Sequence, residues 1–150
     1  MQAKCLTITY LTKASYASLN GADKEADNIS SIKKIQMADG SEYPYKSSQA
    51  IRHDLREQLA VLGEGLSEVK KAKQEKGAVT TQGNPQEFID DDLVGFMQAD
   101  QETVKRTSPV RVSPLISLEP YRGELDFATN YMGAKIGVAP NIFESEIHSG

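Results

Sequence analysis

Tyr45-Lys46-Ser47-Ser48-Gln49-Ala50-Ile51-Arg52-His53-Asp54-Leu55-Arg56 reads as the entry and first turns of a helix. Ser47 or Ser48 can accept hydrogen bonds from the backbone N–H groups that a helix start leaves without partners. Ile51, Leu55, Leu59 and Leu62 recur at helical spacing, which predicts a buried stripe on a helix from about Ser48 to Leu62. Gly63 supplies a stop. A second stripe runs beside the first: Ser48, Arg52 and Arg56 are each four residues apart and stack on one flank. Free N–H groups, two hydroxyls, Gln49 and two stacked arginines suit a phosphate. The same spacing also fits an ordinary amphipathic helix with a solvated charged flank.

Upstream of this helix the sequence predicts strands. Ile32, Ile35 and Met37 surround Lys33-Lys34 in the run from Ser30 to Ala38, and Asp39-Gly40 is a good tight-turn pair. Glu42 to Tyr45 returns as a second hairpin arm. Further back, Leu6, Ile8 and Tyr10 alternate with Thr7 and Thr9, which predicts a first strand from Lys4 to Leu11 with Cys5 as a core thiol. Thr12 to Asn28 reads as a polar loop.

Downstream, Leu66 to Lys76 has helical propensity but is charged nearly all round, as in an exposed helix or a frayed extension. Asn84-Pro85-Gln86-Glu87 looks like a helix start, followed by Phe88, Ile89, Leu93, Phe96 and Met97 on one face. Asp90, Asp91 and Asp92 fall near that start, where carboxylates favour the dipole. Thr107 to Glu119 reads as extended, kept irregular by Pro109, Pro114 and Pro120. Tyr121 to Asn141 reads as loop, and Phe143 to Ile147 as a further strand. Strands before and after helices make the expected class α+β.

The 150 residues suffice for one domain with a core, and 39% hydrophobic with 25% charged residues is ordinary for a soluble protein. No apolar run reaches the roughly 18 residues of a membrane span, and the N-terminus carries no signal-peptide pattern, so a cytoplasmic, non-membrane protein is expected. A single cysteine excludes an internal disulfide, and no Cys/His cluster has metal-ligand spacing. The net charge of −4 argues against coating nucleic acid with the whole surface, but leaves room for one basic groove. Asp90 to Asp92 point apart on a helix and read as cap charges rather than a metal or hydrolytic site. His53 lies on the polar side of the central helix, and His148 is the only other histidine. Neither a nucleophile elbow nor a phosphate-binding glycine-rich loop is present.

The order of several segments adds a resemblance. Asn28-Ile29-Ser30-Ser31-Ile32-Lys33-Lys34 and then Tyr45 to Arg52 resemble the N-terminal part of CRISPR-associated backbone proteins. Asp90-Asp91-Asp92-Leu93-Val94-Gly95-Phe96-Met97 is similar to their segment of aspartate, large apolar residue, glycine, aromatic and methionine. Lys105 to Pro114, Ser117 to Gly123, Asn141 to Glu144 and Ile147 to Ser149 continue the likeness. The family is the repeat-associated (RAMP) superfamily backbone subunit of type I Cascade, closest to the type I-B group also called DevR.

The resemblance implies an α+β, modified RNA-recognition-motif (ferredoxin-like) fold: an antiparallel sheet with helices on one face and helical finger insertions. Here that means one domain over 1–150, with a helical insertion at about 66–106 and a sheet incomplete in this N-terminal portion. It implies a non-catalytic, cofactor-free subunit for antiviral defence that binds CRISPR RNA and presents it to target DNA through guide pairing. Neighbouring copies would pack head to tail, beside the handle-binding, large and small Cascade subunits. Pairing then carries sequence specificity, and the protein needs only backbone contacts. The residues expected to make them are Asn28, Ser30, Lys33, Lys34, Lys46, Ser47, Ser48, Gln49, Arg52, Arg56, Arg106, Arg111 and Arg122. The rival readings are a metal-dependent ribonuclease using Asp23, Asp27 or Asp90 to Asp92, and an interaction or regulatory module that does not touch RNA.

Overall fold

The computed structural model describes residues 4–22, 29–71, 79–99, 103–131, 137 and 139–150. The class is α+β, and the chain divides into two units: Met1–Lys46 with Ile116–Gly150, and Ser47–Leu115. No helix among the described residues is long and apolar enough to cross a membrane.

In the first unit the expected hairpin forms. β2 (Lys34–Gln36) pairs antiparallel with β3 (Glu42–Lys46), Ile35 standing opposite Tyr43. Gly40 takes a φ of 86°, open to glycine at no steric cost, and so permits the turn. Asp39 accepts from the Ser41 hydroxyl at 2.5 Å and the Ser41 N–H at 2.9 Å. Those bonds hold its carboxyl below the usual range. β8 (Leu115–Ile116) lies on the other side of β3, where the Ser117 N–H donates to the Pro44 carbonyl at 2.9 Å.

A second sheet has the order β1 (Ile29–Ser30), β10 (Asn141–Glu146), β9 (Leu125–Asn130). β9 and β10 are antiparallel, but β1 runs parallel to β10. β9 corrects the reading of Tyr121 to Asn141 as loop throughout. The expected strand at Phe143 starts earlier, at Asn141.

The core of this unit is small and partly polar. Ile32 is buried, and its N–H donates to Glu146 at 2.9 Å. Lys34 Nζ lies 2.7 Å from the other oxygen of Glu146 and 4.3 Å above the Tyr121 ring. Burial pushes the Glu146 carboxyl up, but the bonds from Lys34 and Ile32, the Lys34 charge and the Tyr121 hydroxyl outweigh it, and the net shift is downward. His148 is buried and within 2.8 Å of the Ser117 hydroxyl. Its backbone exchanges hydrogen bonds with Ala17 at 2.9 and 3.0 Å.

The expected first strand is absent. Residues 4–11 have no strand partner among the described residues, and Leu6 is 82% exposed. Cys5 is exposed, not a core thiol. Alternation encodes a preference for pairing, but a strand needs a neighbour to satisfy its ladder. Here the ladder ends where Ala14 and Gly150 exchange bonds of 2.5 and 3.0 Å.

The second unit opens with α1 (Ser48–Val61), close to the expected helix. Only part of its stripe is covered: Ile51 is buried, whereas Leu55 and Leu62 are 43% and 76% exposed. The chain after it departs from expectation. No helix spans Leu66 to Lys71; β4 (Lys70–Lys71) instead pairs with β5 (Val79–Thr80), and residues 72–76 of that expected helix lie outside the described residues. Asn84 initiates a turn: its side chain accepts from the Gln86 N–H at 3.3 Å and its carbonyl from the Phe88 N–H at 3.0 Å. α2 starts only at Ile89 and ends at Leu93. Gly95 stops it. Its φ is 76°, and a Cβ there would fall 2.4 Å from the Arg106 carbonyl oxygen, so only glycine lets the two backbones approach. Phe96 and Met97 therefore lie in β6 (Phe96–Ala99), which pairs with β7 (Thr103–Arg106), and not on a helix face. The segment expected to be a helical insertion at 66–106 is two β-ribbons and one five-residue helix among its described residues.

Candidate nucleic-acid interface

α1 positions the site. Ser47 is its N-cap: the hydroxyl accepts from the Ala50 N–H at 3.2 Å, and the carbonyl from the Ile51 N–H at 3.0 Å. Ser48 is the first helical residue, and no acidic side chain occupies the first turn. From this start, Gln49, Arg52, His53 and Arg56 line one side of a groove of about 510 Å³ within the second unit. Arg106 and Arg111 line it as well, with Thr107 and Ser108 between them. Val94, Gly95 and Phe96 supply its apolar lining. Spacing on α1 predicted the first wall. The second wall depends on Gly95, which lets the end of α2 meet the end of β7.

Two of the four arginines are held by carboxylates of α2. Arg56 Nε donates to Asp90 at 2.7 Å and Nη2 to the Ser67 carbonyl at 2.5 Å. Asp90 is 2% exposed, and its other oxygen accepts from the Ser67 N–H at 3.0 Å. Arg106 Nη2 pairs with Asp92, and its Nε donates to the Asp92 carbonyl at 3.3 Å. Asp91 is also buried and accepts from the Thr81 hydroxyl at 2.6 Å and the Asn84 N–H at 2.9 Å. Asp90 and Asp91 stand in the first turn of α2, as cap charges do, and they are also the polar centre of this unit, because the loops at Ser67 and Thr81 fold over them.

Among the described residues, the side chains of Arg52 and Arg111 have neither an ion pair nor a hydrogen-bonded partner. The segment carrying Arg111 is fixed by Ser108, whose hydroxyl lies 2.9 Å from the Leu93 carbonyl and 2.6 Å from that of Val110. His53 is exposed, as expected, and its Nδ1 is 3.8 Å from Glu57.

The structure thus brings Gln49, Arg52, Arg56, Arg106 and Arg111 to one groove, which Gln49 joins two residues after the capping Ser47. Ser30, Lys33, Lys34, Lys46 and Arg122 belong to the first unit. Lys34 is held by Glu146, and Arg122 is 3.8 Å from Glu119. Ser30 pairs with Ser145 in the second sheet, and the Lys33 backbone is bonded to Asn20 and Tyr45. Asn28, Asp23 and Asp27 lie outside the described residues. Sequence reasoning missed the hydroxyls of Thr107 and Ser108; the adjacent Lys105-Arg106 and the prolines flanking Arg111 were the available signal. It also missed the buried His148–Ser117 pair, which no local pattern announces.

Residues 8–150 match the family model described as "CRISPR-associated negative auto-regulator DevR/Csa2". Over 142 aligned residues the chain is 32% identical to the Myxococcus xanthus (strain DK1622) protein named "CRISPR-associated protein Cas7/Cst2/DevR". The match covers 81% of this chain and 47% of that relative, so the chain spans about half the relative's length. The resemblance drawn from the sequence is borne out at the level of the family.

Proposed function

This chain belongs to the CRISPR-associated DevR/Csa2 family, and from that premise we propose that it is an RNA-binding backbone subunit of a type I-B Cascade surveillance complex. The observation that carries the reading is the groove beside α1, where the unpaired side chains of Arg52 and Arg111 stand with Gln49 and the Thr107 hydroxyl around an apolar lining. Those groups recognise phosphate and sugar, the parts of RNA that do not vary with sequence. A groove of this kind also reconciles RNA binding with a net charge of −4.

The role is structural rather than catalytic. Asp90 and Asp91, which a metal-dependent ribonuclease would need free, spend all four carboxylate oxygens on protein donors. In the full-length protein the fold is the modified RNA-recognition motif. Copies pack head to tail along the guide, an open heterologous arrangement. They hold it for pairing with target DNA, in contact with the handle-binding, large and small subunits.

The test is binding to guide RNAs of equal length and unrelated sequence, at several salt concentrations. Affinity falls linearly on a log–log plot against salt, because lysine and arginine contacts release counterions, and it varies little between sequences. A strong preference among the sequences, or binding that ignores salt, overturns the reading.

A further inference from the structure

We propose that the groove divides its arginines between two tasks: Arg52 and Arg111 receive phosphodiesters of a single strand, while Arg56 and Arg106 are positioning residues held off the ligand by α2. The proposal deepens the RNA-binding reading and rests on it.

The division follows from what each guanidinium already binds. Arg56 commits Nε and Nη2 to Asp90 and Ser67. Moving it toward a phosphate would leave the Asp90 carboxylate, 2% exposed, without its counter-charge in a desolvated place. Arg106 commits its Nε and Nη2 to Asp92. Its charge is thereby neutralised at short range. Both carboxylates come from one helix, α2, two positions apart on either side of Asp91. α2 thus acts as a brace that fixes one arginine from each wall.

Arg52 and Arg111 are different. Neither side chain has a partner among the described residues, and they come from different segments, Arg52 from α1 and Arg111 from the stretch after β7. Each nonetheless stands on a rigid base. Arg52 is on the first turns of a capped helix. Arg111 follows the Ser108 contacts to Leu93 and Val110, and the Val110 N–H donates to Leu93 at 3.4 Å. Unpaired guanidinium groups on fixed supports are preorganised for anions, since little ordering is left for the ligand to impose. The uncompensated arginine charge of the groove is therefore two, one per phosphodiester. A strand that enters the groove meets two cations in turn, and no side chain there is committed to a base edge.

The experiment measures the affinity of the protein for a uridine homopolymer against salt, alongside thermal melting. In a single strand each lost phosphate contact lowers the log–log slope by about 0.7. Arg52→Ala and Arg111→Ala each lower the slope by that amount and leave melting unchanged, and Arg52→Lys and Arg111→Lys restore the slope. Arg106→Ala leaves the slope at the wild-type value. Arg56→Lys keeps the slope but lowers the melting temperature, because a point charge cannot hold Asp90 and Ser67 together. Asp92→Asn is the variant that does not depend on damage: it frees Arg106 to join the ligand, and the slope rises by about 0.7. The division is overturned if Arg106→Ala lowers the slope as Arg52→Ala does, if Asp92→Asn leaves it unchanged, or if wild-type binding is salt-dependent but indifferent to Arg52 and Arg111. A wild-type protein that does not bind the polymer at all removes the RNA reading itself, a distinct outcome.

Discussion

Each unit of the chain contains a buried carboxylate that grips a backbone N–H far away in sequence, and the two are built differently. In the first unit Glu146 takes the Ile32 N–H at 2.9 Å and Lys34 at 2.7 Å. In the second, Asp90 takes the Ser67 N–H at 3.0 Å and Arg56 at 2.7 Å. The lysine is a point charge, shared with the Tyr121 ring and with Glu42 at 3.9 Å. The arginine is a fork, and its second arm returns to the Ser67 carbonyl. Arg56, Asp90 and Ser67 thus close a ring of directed bonds, whereas the Glu146 cluster branches. A branched cluster can lose one contact and keep the others. A ring loses its geometry when any member goes.

The sharpest way to break that contrast is Asp90→Ala. It strands the Arg56 charge and the Ser67 N–H together, and should cost about 3–5 kcal/mol. Urea unfolding followed by circular dichroism measures it. A loss below about 1 kcal/mol would put the ring on the same footing as a surface pair. Glu146→Gln should cost less, about 1–3 kcal/mol, because the amide oxygen still accepts from Ile32 while Lys34 loses its partner.

The same residue gives a pH test. The folded-state pKa of Glu146 is lowered from 4.5. Its contribution is therefore fully present above that value and is lost as the pH falls through the folded-state value. Wild-type stability should decline in that acid window, and Glu146→Gln should show a shallower decline by the same unfolding measurement. Smaller again is Ser47→Ala, which removes one N-cap bond from α1, for about 0.5–2 kcal/mol. Smallest is Leu55→Ala at about 1 kcal/mol. Leu55 is 43% exposed, so the 2–5 kcal/mol of a buried leucine does not apply. A cost in that higher range would show that further polypeptide covers this face of α1.

The features legible in the sequence are those whose causes are local. α1 was readable because its cap, stripe and stop lie within one short stretch, and the β2–β3 hairpin because Asp39-Gly40 writes its own turn. That Arg52 and Gln49 lie on the polar flank of that helix was readable for the same reason. The misreadings concern partners distant in sequence. Asp90 and Asp91 are legible as helix-start charges, but nothing nearby says that Ser67 and Thr81 will close over them. The helix predicted to start at Asn84 and run to Met97 begins only at Ile89 and fails at Gly95, whose role depends on Arg106 across the ribbon. β9 was hidden among glycines, although Leu125 and Phe127 alternate with polar neighbours. The run from Lys4 to Leu11 shows the converse: its alternation is clear, and its neighbour is not among the described residues.

That open run has a practical side. Cys5 is the only cysteine, and it stands exposed there. A maleimide dye would attach at this one point. Its attachment rate then becomes a gauge of the neighbourhood. Whatever polypeptide comes to lie against residues 4–13 must slow the thiol's chemistry. One native sulfur can thus time the covering of that open run.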